Sequence, residues 1–133
     1  MAITFLDLAE VLEIHREQIS RYGGDAGVRD MNLLQSALGV PHAQVAGRYL
    51  HEDLYEMAAA YLFHIVQNHP FIDGNKRTGA VAALVFLDLN GVTLAAGVKN
   101  FEQMVWAVAK GEADKSDVAQ FFRINAGDSR ERR

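Results

Sequence analysis

The feature that most constrains this chain is a short polar stretch followed directly by its most apolar segment. Residues 69–79 read HPFIDGNKRTG and place five polar or charged side-chain types within nine positions. No charged residue follows Arg77 until after Leu87. A helix that is apolar nearly all round is buried. We therefore expect a central, buried helix from about Asn75 to Leu89, with the polar residues fixed at its N-terminus.

Apolar residues recur at helical spacing along the rest of the chain and predict an all-α fold. Thr4 and Asp7 form a capping-box-like start for a first helix, which ends near Tyr22. Asp30 and Asp53 are the expected N-caps of the second and third helices. The segment between those two helices has no strong helical pattern.

Two further helices follow a short extended piece near residues 92–95. Asn100 is the expected cap of the first of them, and Ser116 or Asp117 begins the last. Gly79 lies in the first turns of the buried helix, where glycine costs roughly 1 kcal/mol relative to alanine. That cost suggests that another backbone approaches closely. The expected architecture is a compact single-domain bundle of about six helices.

Length and composition place the chain among small soluble proteins. Its 133 residues predict one domain over residues 1–126, followed by a basic and disordered tail over residues 127–133. The tail is expected to be solvated, with contact to nucleic acid as the alternative. The net charge of −4 argues against strong direct binding to nucleic acid elsewhere.

The expected compartment is the cytoplasm. The chain has no cysteine, which excludes disulfides and fits a reducing environment. Asp7 and Glu10 stand where a signal peptide would need a basic and then an apolar run. The uncharged stretch from Thr78 to Leu87 is about half of the roughly 20 residues that a membrane-spanning helix needs. We expect no contact with a membrane.

Lys76 and Arg77 carry positive charge at the start of the buried helix, where unpaired backbone amides also point outward. Cations oppose the helix dipole at this end, so a purely structural protein gains nothing from them. Phosphate binding explains them better than simple solvation does. Gly74 permits close approach of the backbone to a ligand. Asn75 is either the helix N-cap or a side-chain donor to a phosphate oxygen.

Asp73 and His69 complete the candidate site. A carboxylate beside an anion site is unfavourable unless a cation intervenes, and Mg2+ bridging Asp73 and the phosphates would resolve the conflict. Alternatively, Asp73 is a turn or capping residue. His69 is a candidate general base for a hydroxyl nucleophile, although a lone histidine at a helix end is more often unremarkable. The other histidines have no partners at ligand spacing, and His64 is expected to be packed.

Together these residues suit a transferase that moves part of a nucleoside triphosphate onto a hydroxyl group. The glycine-rich pattern of a P-loop is absent. At this point the stretch HPFIDGNKRTG resembles the Fic motif, and its NKRT form is similar to the Doc (death-on-curing) branch of the Fic/Doc family. The similarity extends to ISRYGG at residues 19–24, GVRD at residues 27–30 and LVFLDLNGV at residues 84–92.

The resemblance implies roles for the residues that match the motif. His69 would deprotonate the target hydroxyl and Asp73 would bind Mg2+. Asn75, Lys76 and Arg77 would hold the phosphates of ATP, with Gly74 contributing its backbone. The segment at residues 44–50 resembles in position the flap that lies over the Fic active site.

Two departures bear on the reaction that the resemblance implies. AMP-transferring Fic enzymes usually have glycine at the position of Lys76 and a second arginine at the position of Ala80. Their absence favours the Doc reaction, in which the γ-phosphate is transferred to a threonine of elongation factor Tu and translation stops. Gly74 is alanine in the prototype Doc but glycine in most Fic proteins.

The resemblance also implies a partner and leaves two other functions open. The partner is an antitoxin with a disordered segment that folds as a helix against the toxin. The last helix, with Val118, Phe121 and Phe122, is expected to help line its groove. The alternatives are a Fic-type AMP transferase and a catalytically idle module that binds the antitoxin or its DNA complex. The intact His69 and Asp73 argue against the idle form.

Overall fold

A computed structural model describes residues 2–128 and confirms the all-α class. Within that range the chain forms six helices and four short strands. In chain order they are α1 (Leu8–Tyr22), α2 (Met31–Gly39), β1 (Gln44–Val45), β2 (Arg48–Tyr49), α3 (Leu54–Asn68), α4 (Asn75–Leu89), β3 (Val92–Leu94), α5 (Val98–Ala109), α6 (Lys115–Ile124) and β4 (Ala126–Asp128). None of the helices in this range is both long and apolar enough to cross a membrane.

Helices α3 and α4 form the central pair of the bundle, and α4 packs against α1, α3, α5 and β3. Helix α3 packs against α2, α4, α5 and α6. Three consecutive alanines, Ala58 to Ala60, are fully buried in it, and such small side chains let several neighbours approach. Helix α4 leaves Ala80, Val81 and Leu84 only partly buried along one side. We call this side the recessed face of α4.

Helices α3 and α4 pack closely at Gly79, as its position in the sequence predicted. A Cβ atom on Gly79 would lie 2.9 Å from Val66 Cγ2 and 3.2 Å from the carbonyl oxygen of Leu62. Both of those residues belong to α3. The absence of a side chain at Gly79 thus sets the distance between the two helices that carry the polar loop.

Asp30 and Asp53 cap α2 and α3 as predicted. The start of α1 differs, because Asp7 is its N-cap and exchanges hydrogen bonds with Glu10. The backbone amide of Thr4 instead donates to the side chain of Asn90. An acid at the cap with a second acid three residues later satisfies two backbone donors at once.

The starts of the last two helices were also placed wrongly. Helix α5 begins at Val98 after Gly97, two residues before the predicted cap at Asn100, and has no side-chain cap. Helix α6 begins at Lys115, and Asp114 forms a reciprocal capping box with Asp117. Asp117 is therefore the third helical residue, and its carboxylate accepts a hydrogen bond from the backbone amide of Asp114.

Each pair of strands is antiparallel, and neither pair forms an extended sheet. The predicted extended piece is β3, and it pairs with β4 along its whole length. This pairing includes Gly127 and Asp128, so ordered structure continues past the predicted domain boundary at residue 126. The arginines of the predicted basic tail, Arg130, Arg132 and Arg133, lie outside the described residues.

Candidate active site

The polar stretch forms the loop between α3 and α4. His69 is the C-cap of α3 and has a left-handed backbone conformation, with φ of 52°. Its backbone amide donates to the carbonyl oxygen of Ile65, which closes the helix. Its side chain is exposed, so the imidazole is free to meet a substrate. A non-glycine residue in this conformation is strained, and such strain clusters at functional sites.

Asn75 holds the loop in shape through its side chain. Its Oδ1 accepts from the backbone amide of Phe71 and its Nδ2 donates to the carbonyl oxygen of Phe71, both at 2.9 Å. The residue is buried, and Gly74 is the N-cap of α4. The interpretation of Asn75 as the N-cap is therefore wrong. A role for it in phosphate binding stays a prediction, for which the second Nδ2 hydrogen is available.

His15 of α1 supports the loop from beneath, and the sequence interpretation missed it. Its ring stacks on that of Phe71 with centroids 3.7 Å apart and planes 7° apart. Its Nε2 lies 2.8 Å from the carbonyl oxygen of Asp73, and because a carbonyl only accepts, Nε2 carries the proton. His15 shares the buried face of α1 with Val11 and Gln18. A histidine on a core-facing stripe was the signal available in the sequence.

The segment before α2 lies along the loop on another side. Val28 forms an isolated antiparallel bridge with Phe71, and the carbonyl oxygen of Pro70 accepts from the amides of Arg29 and Asp30. The guanidinium group of Arg29 donates to the carbonyl oxygens of His69 at 2.6 Å and Asn68 at 2.9 Å. Arg29 thus satisfies carbonyls at the negative end of α3 and fixes the backbone of His69.

Residues 44–50, which resemble a flap in their chain position, pack against the N-terminal segment, and their role as a flap stays a prediction. They form the hairpin of β1 and β2, in which Tyr49 contacts Phe5. Phe5 in turn stacks on Phe86, near the C-terminal end of α4. Phe86 is eleven residues beyond Asn75, which corresponds to roughly 16 Å along a helix. Gly27 to Asp30 flank the loop directly through backbone hydrogen bonds.

The carboxylate of Asp73 is exposed at the site and fits one part of a magnesium site. Its Oδ2 accepts from the backbone amide of Asp25 at 2.7 Å. Within residues 2–128, no cluster of three or more histidine or acidic side chains is arranged to hold a metal. Mg2+ is commonly bound by one or two carboxylates together with waters and substrate phosphates. The donor set therefore fits a nucleotide-bound Mg2+ rather than a metal held by protein side chains alone.

The two cations at the start of α4 rest on exposed aromatic rings. Lys76 Nζ lies 4.5 Å from the ring centroid of Trp106 on α5, and Arg77 Cζ lies 4.7 Å from that of Tyr22 on α1. Cation–π contacts at exposed sites contribute only about 0.5–1 kcal/mol. Both cations can therefore move to a phosphate at little cost.

Two cavities meet at the mouth of α4. One, of about 380 Å³, is lined by His69, Asp73, Lys76 and the predicted backbone residue Gly74, and also by Lys110, which the sequence interpretation did not single out. The other, of about 490 Å³, is lined by residues of α4 and α5: Gly74, Asn75, Lys76, Arg77, Ala80, Phe101, Glu102, Val105 and Trp106. The structure thus brings the base and metal candidates together and places Arg77 in the adjoining cavity.

The remaining histidines lie elsewhere. Half-buried His64 of α3 accepts a hydrogen bond from Lys115 Nζ at its Nε2, 3.1 Å away, so it is packed as predicted. Burial, followed by the positive charges of Lys115 and His51, lowers the pKa of His64 to about 4. His64 is therefore neutral at neutral pH and serves the packing of α3 against α6.

Comparison with known proteins places these features in a family. The model of the Fic/DOC family matches residues 5–87. The protein named Toxin Doc from Mycolicibacterium smegmatis is 41% identical over 100 residues, which cover 74% of this chain and 77% of that protein. The protein named Protein kinase doc from Escherichia phage P1 is 38% identical over 114 residues, covering 86% of this chain and 89% of that protein.

Proposed function

This chain belongs to the Fic/Doc family, in its Doc branch, and from that premise we propose that it is a toxin that transfers the γ-phosphate of ATP to a protein hydroxyl group. The observation that carries the proposal is the cavity at the mouth of α4. It joins the exposed imidazole of His69, the carboxylate of Asp73 and the ammonium group of Lys76 beside the N-terminal amides of α4. The name of the phage relative, a protein kinase, agrees with this reaction.

The placement of these groups supports the following route for the transfer. The target hydroxyl oxygen attacks the γ-phosphorus, the bond from that phosphorus to the β,γ-bridging oxygen breaks, and ADP leaves. His69 takes the proton of the hydroxyl as general base. Lys76 and the amides of α4 stabilise the negative charge on the transferred and departing oxygens. Mg2+ bound at Asp73 would supply further charge neutralisation on the phosphates.

Lys76 and Ala80 favour phosphate over AMP as the transferred group. Transfer of AMP would place the α-phosphate at His69 and leave the pyrophosphate to be held by fixed cations. Ala80, one turn into α4, lines the adjoining cavity and offers no such cation. Lys76 occupies space that glycine would leave open for the α-phosphate.

Labelled ATP tests the proposal. The target we propose is a threonine of elongation factor Tu, whose modification would stop translation in the cytoplasm. With γ-labelled ATP the purified factor should become labelled by the native chain and not by His69→Ala. With α-labelled ATP it should stay unlabelled, and the mass of the product should rise by one phosphate. A mass increase of one AMP would overturn the proposal and establish the alternative, a Fic-type AMP transferase.

Growth arrest separates both enzymes from an idle binding module. Expression of the native chain in bacteria should stop growth, and expression of His69→Ala should not. Equal growth arrest by both chains would mean that toxicity needs no catalysis. It would refute the proposal that the chain is toxic as a kinase.

We also propose an antitoxin partner, whose helix-forming segment binds a groove between α1, α4, β3 and α5. The groove has a volume of about 760 Å³, and its apolar wall includes Val81 and Leu84 on the recessed face of α4. An amphipathic helix fits such a surface. The predicted contribution of α6 is wrong for Val118 and Phe122, because both are fully buried in the core. Leu84→Glu should abolish binding of the cognate antitoxin, whereas unchanged binding would place the partner elsewhere.

A further inference from the structure

Helix α5 carries an exposed tryptophan at the meeting point of the two cavities. Trp106 lines both the 380 Å³ and the 490 Å³ cavity, and 53% of its surface is exposed. A large apolar ring left this open gains little from folding, because burial is what makes aromatic residues stabilising. Lys76 covers part of its face in the free protein. An exposed aromatic ring beside a phosphate-binding helix start is suited to stack on a nucleobase.

Glu102 stands one turn before Trp106 on the same helix. Residues four apart lie on one face of a helix, and both side chains line the 490 Å³ cavity. Val105 and Phe101 supply apolar walls between them. The wall of this cavity is about half polar and half apolar, so it can meet both the face and the polar edge of a base. A carboxylate accepts hydrogen bonds only, so it favours a base edge with an amino group over one with a carbonyl.

From this arrangement we propose that the 490 Å³ cavity is the base subsite, in which Trp106 stacks on adenine and Glu102 accepts from its exocyclic amino group. The inference rests on the proposed function and adds an orientation to it. Phosphates leaving this cavity cross Arg77 and the amides of α4, and the terminal one reaches the cavity of His69. Lys76 would leave the ring of Trp106 for a phosphate as the base arrives, which frees the ring for stacking.

Binding measurements on the full chain, without any target protein, test the subsite. Stacking contributes about 1–3 kcal/mol per base, so Trp106→Ala should weaken Mg-ATP binding by roughly 10-fold or more. Binding of inorganic tripolyphosphate with Mg2+ should not change, because it has no base. Trp106→Phe should retain most of the affinity for ATP. Gln103→Ala, an exposed neighbour on α5 that lines neither cavity, serves as the matched control.

Base selectivity tests Glu102 separately. The native chain should prefer ATP to GTP, and Glu102→Ala should bring the two dissociation constants close together. Trp106 is the only tryptophan of the chain, so its fluorescence should respond to ATP in the native protein. If Trp106→Ala binds ATP with the same dissociation constant as the native chain, the base subsite is refuted while the proposed function stands. If the native chain binds neither ATP nor GTP, the proposed function itself fails.

Discussion

The left-handed backbone at His69 allows catalysis and stability to be separated by a pair of variants. His69→Ala and His69→Gly both remove the imidazole, so both should lower the rate of transfer by about 100-fold or more. Only glycine adopts φ near 52° without a steric penalty. The two variants should therefore be equally inactive and differ in their free energies of unfolding.

The size of the difference follows from the conformation. A left-handed conformation costs an L-residue roughly 1–2 kcal/mol, and alanine retains that cost. Glycine removes it but loses about 0.4–1 kcal/mol through the greater freedom of its unfolded chain. The side chain of His69 is exposed, so both variants lose little packing. We expect His69→Gly to be more stable than His69→Ala by about 1 kcal/mol.

Urea unfolding followed by circular dichroism measures this difference, and Gln103 provides an internal reference. Gln103 is exposed within α5, where glycine should be less stable than alanine by about 1 kcal/mol. The preference for glycine over alanine should thus reverse between the two positions. If alanine is preferred at both, the backbone of residue 69 is not held in the left-handed region, and the argument that strain is stored at the base is refuted.

Three further expectations concern packing, pH and metal. Gly79→Ala should lower the free energy of unfolding by about 1 kcal/mol in the same urea assay, because overpacking against Val66 costs about 1–3 kcal/mol and helix propensity returns only about 1; a gain in stability would show that α3 and α4 can separate freely. The pKa of His64 is about 4 in the folded chain and 6.5 in the reference state, so the unfolded chain binds more protons between these values. The free energy of unfolding should therefore not depend on His64 above pH 6.5, and it should decline as pH falls toward 4. His64→Gln should make this decline less steep, whereas an identical decline in both proteins would assign it to other groups. Calorimetry should show that Mg2+ strengthens ATP binding to the native chain and that Asp73→Asn blunts this effect, whereas equal ATP affinity with and without a chelator would remove Asp73 as a metal ligand.

Local signals in the sequence were sufficient for the helices but not for all of their starts. Asp30 and Asp53 each stand alone before an apolar pattern, so their capping roles were predicted correctly. At the last helix, Asp114, Ser116 and Asp117 are all good caps. The choice among them depends on which residue takes the extended backbone, and this is Asp114. That conformation is set by how the preceding turn packs, which a single sequence does not display.

The residues of the candidate site likewise include some that the sequence predicts and some that only the fold brings together. His69, Asp73 and Lys76 are close in sequence, and the structure places them around one cavity as expected. Trp106 and Arg29 reach the site from other elements. Their proximity depends on the packing of α5 and of the segment before α2, so no spacing rule could reveal it.

The anchoring of Phe71 has a consequence for how the activity can be turned off. Its backbone amide is bonded to Asn75, its ring is stacked on His15, and its strand-like bridge joins it to Val28. The amide of buried Phe71 donates to Asn75 and that of Ile72 donates to Gly27, so we expect both amides to exchange slowly with solvent. Because the loop is anchored at several points, we expect a regulator to leave it folded. Such a regulator would inhibit by occupying the cavities or by blocking the access of the target protein to His69.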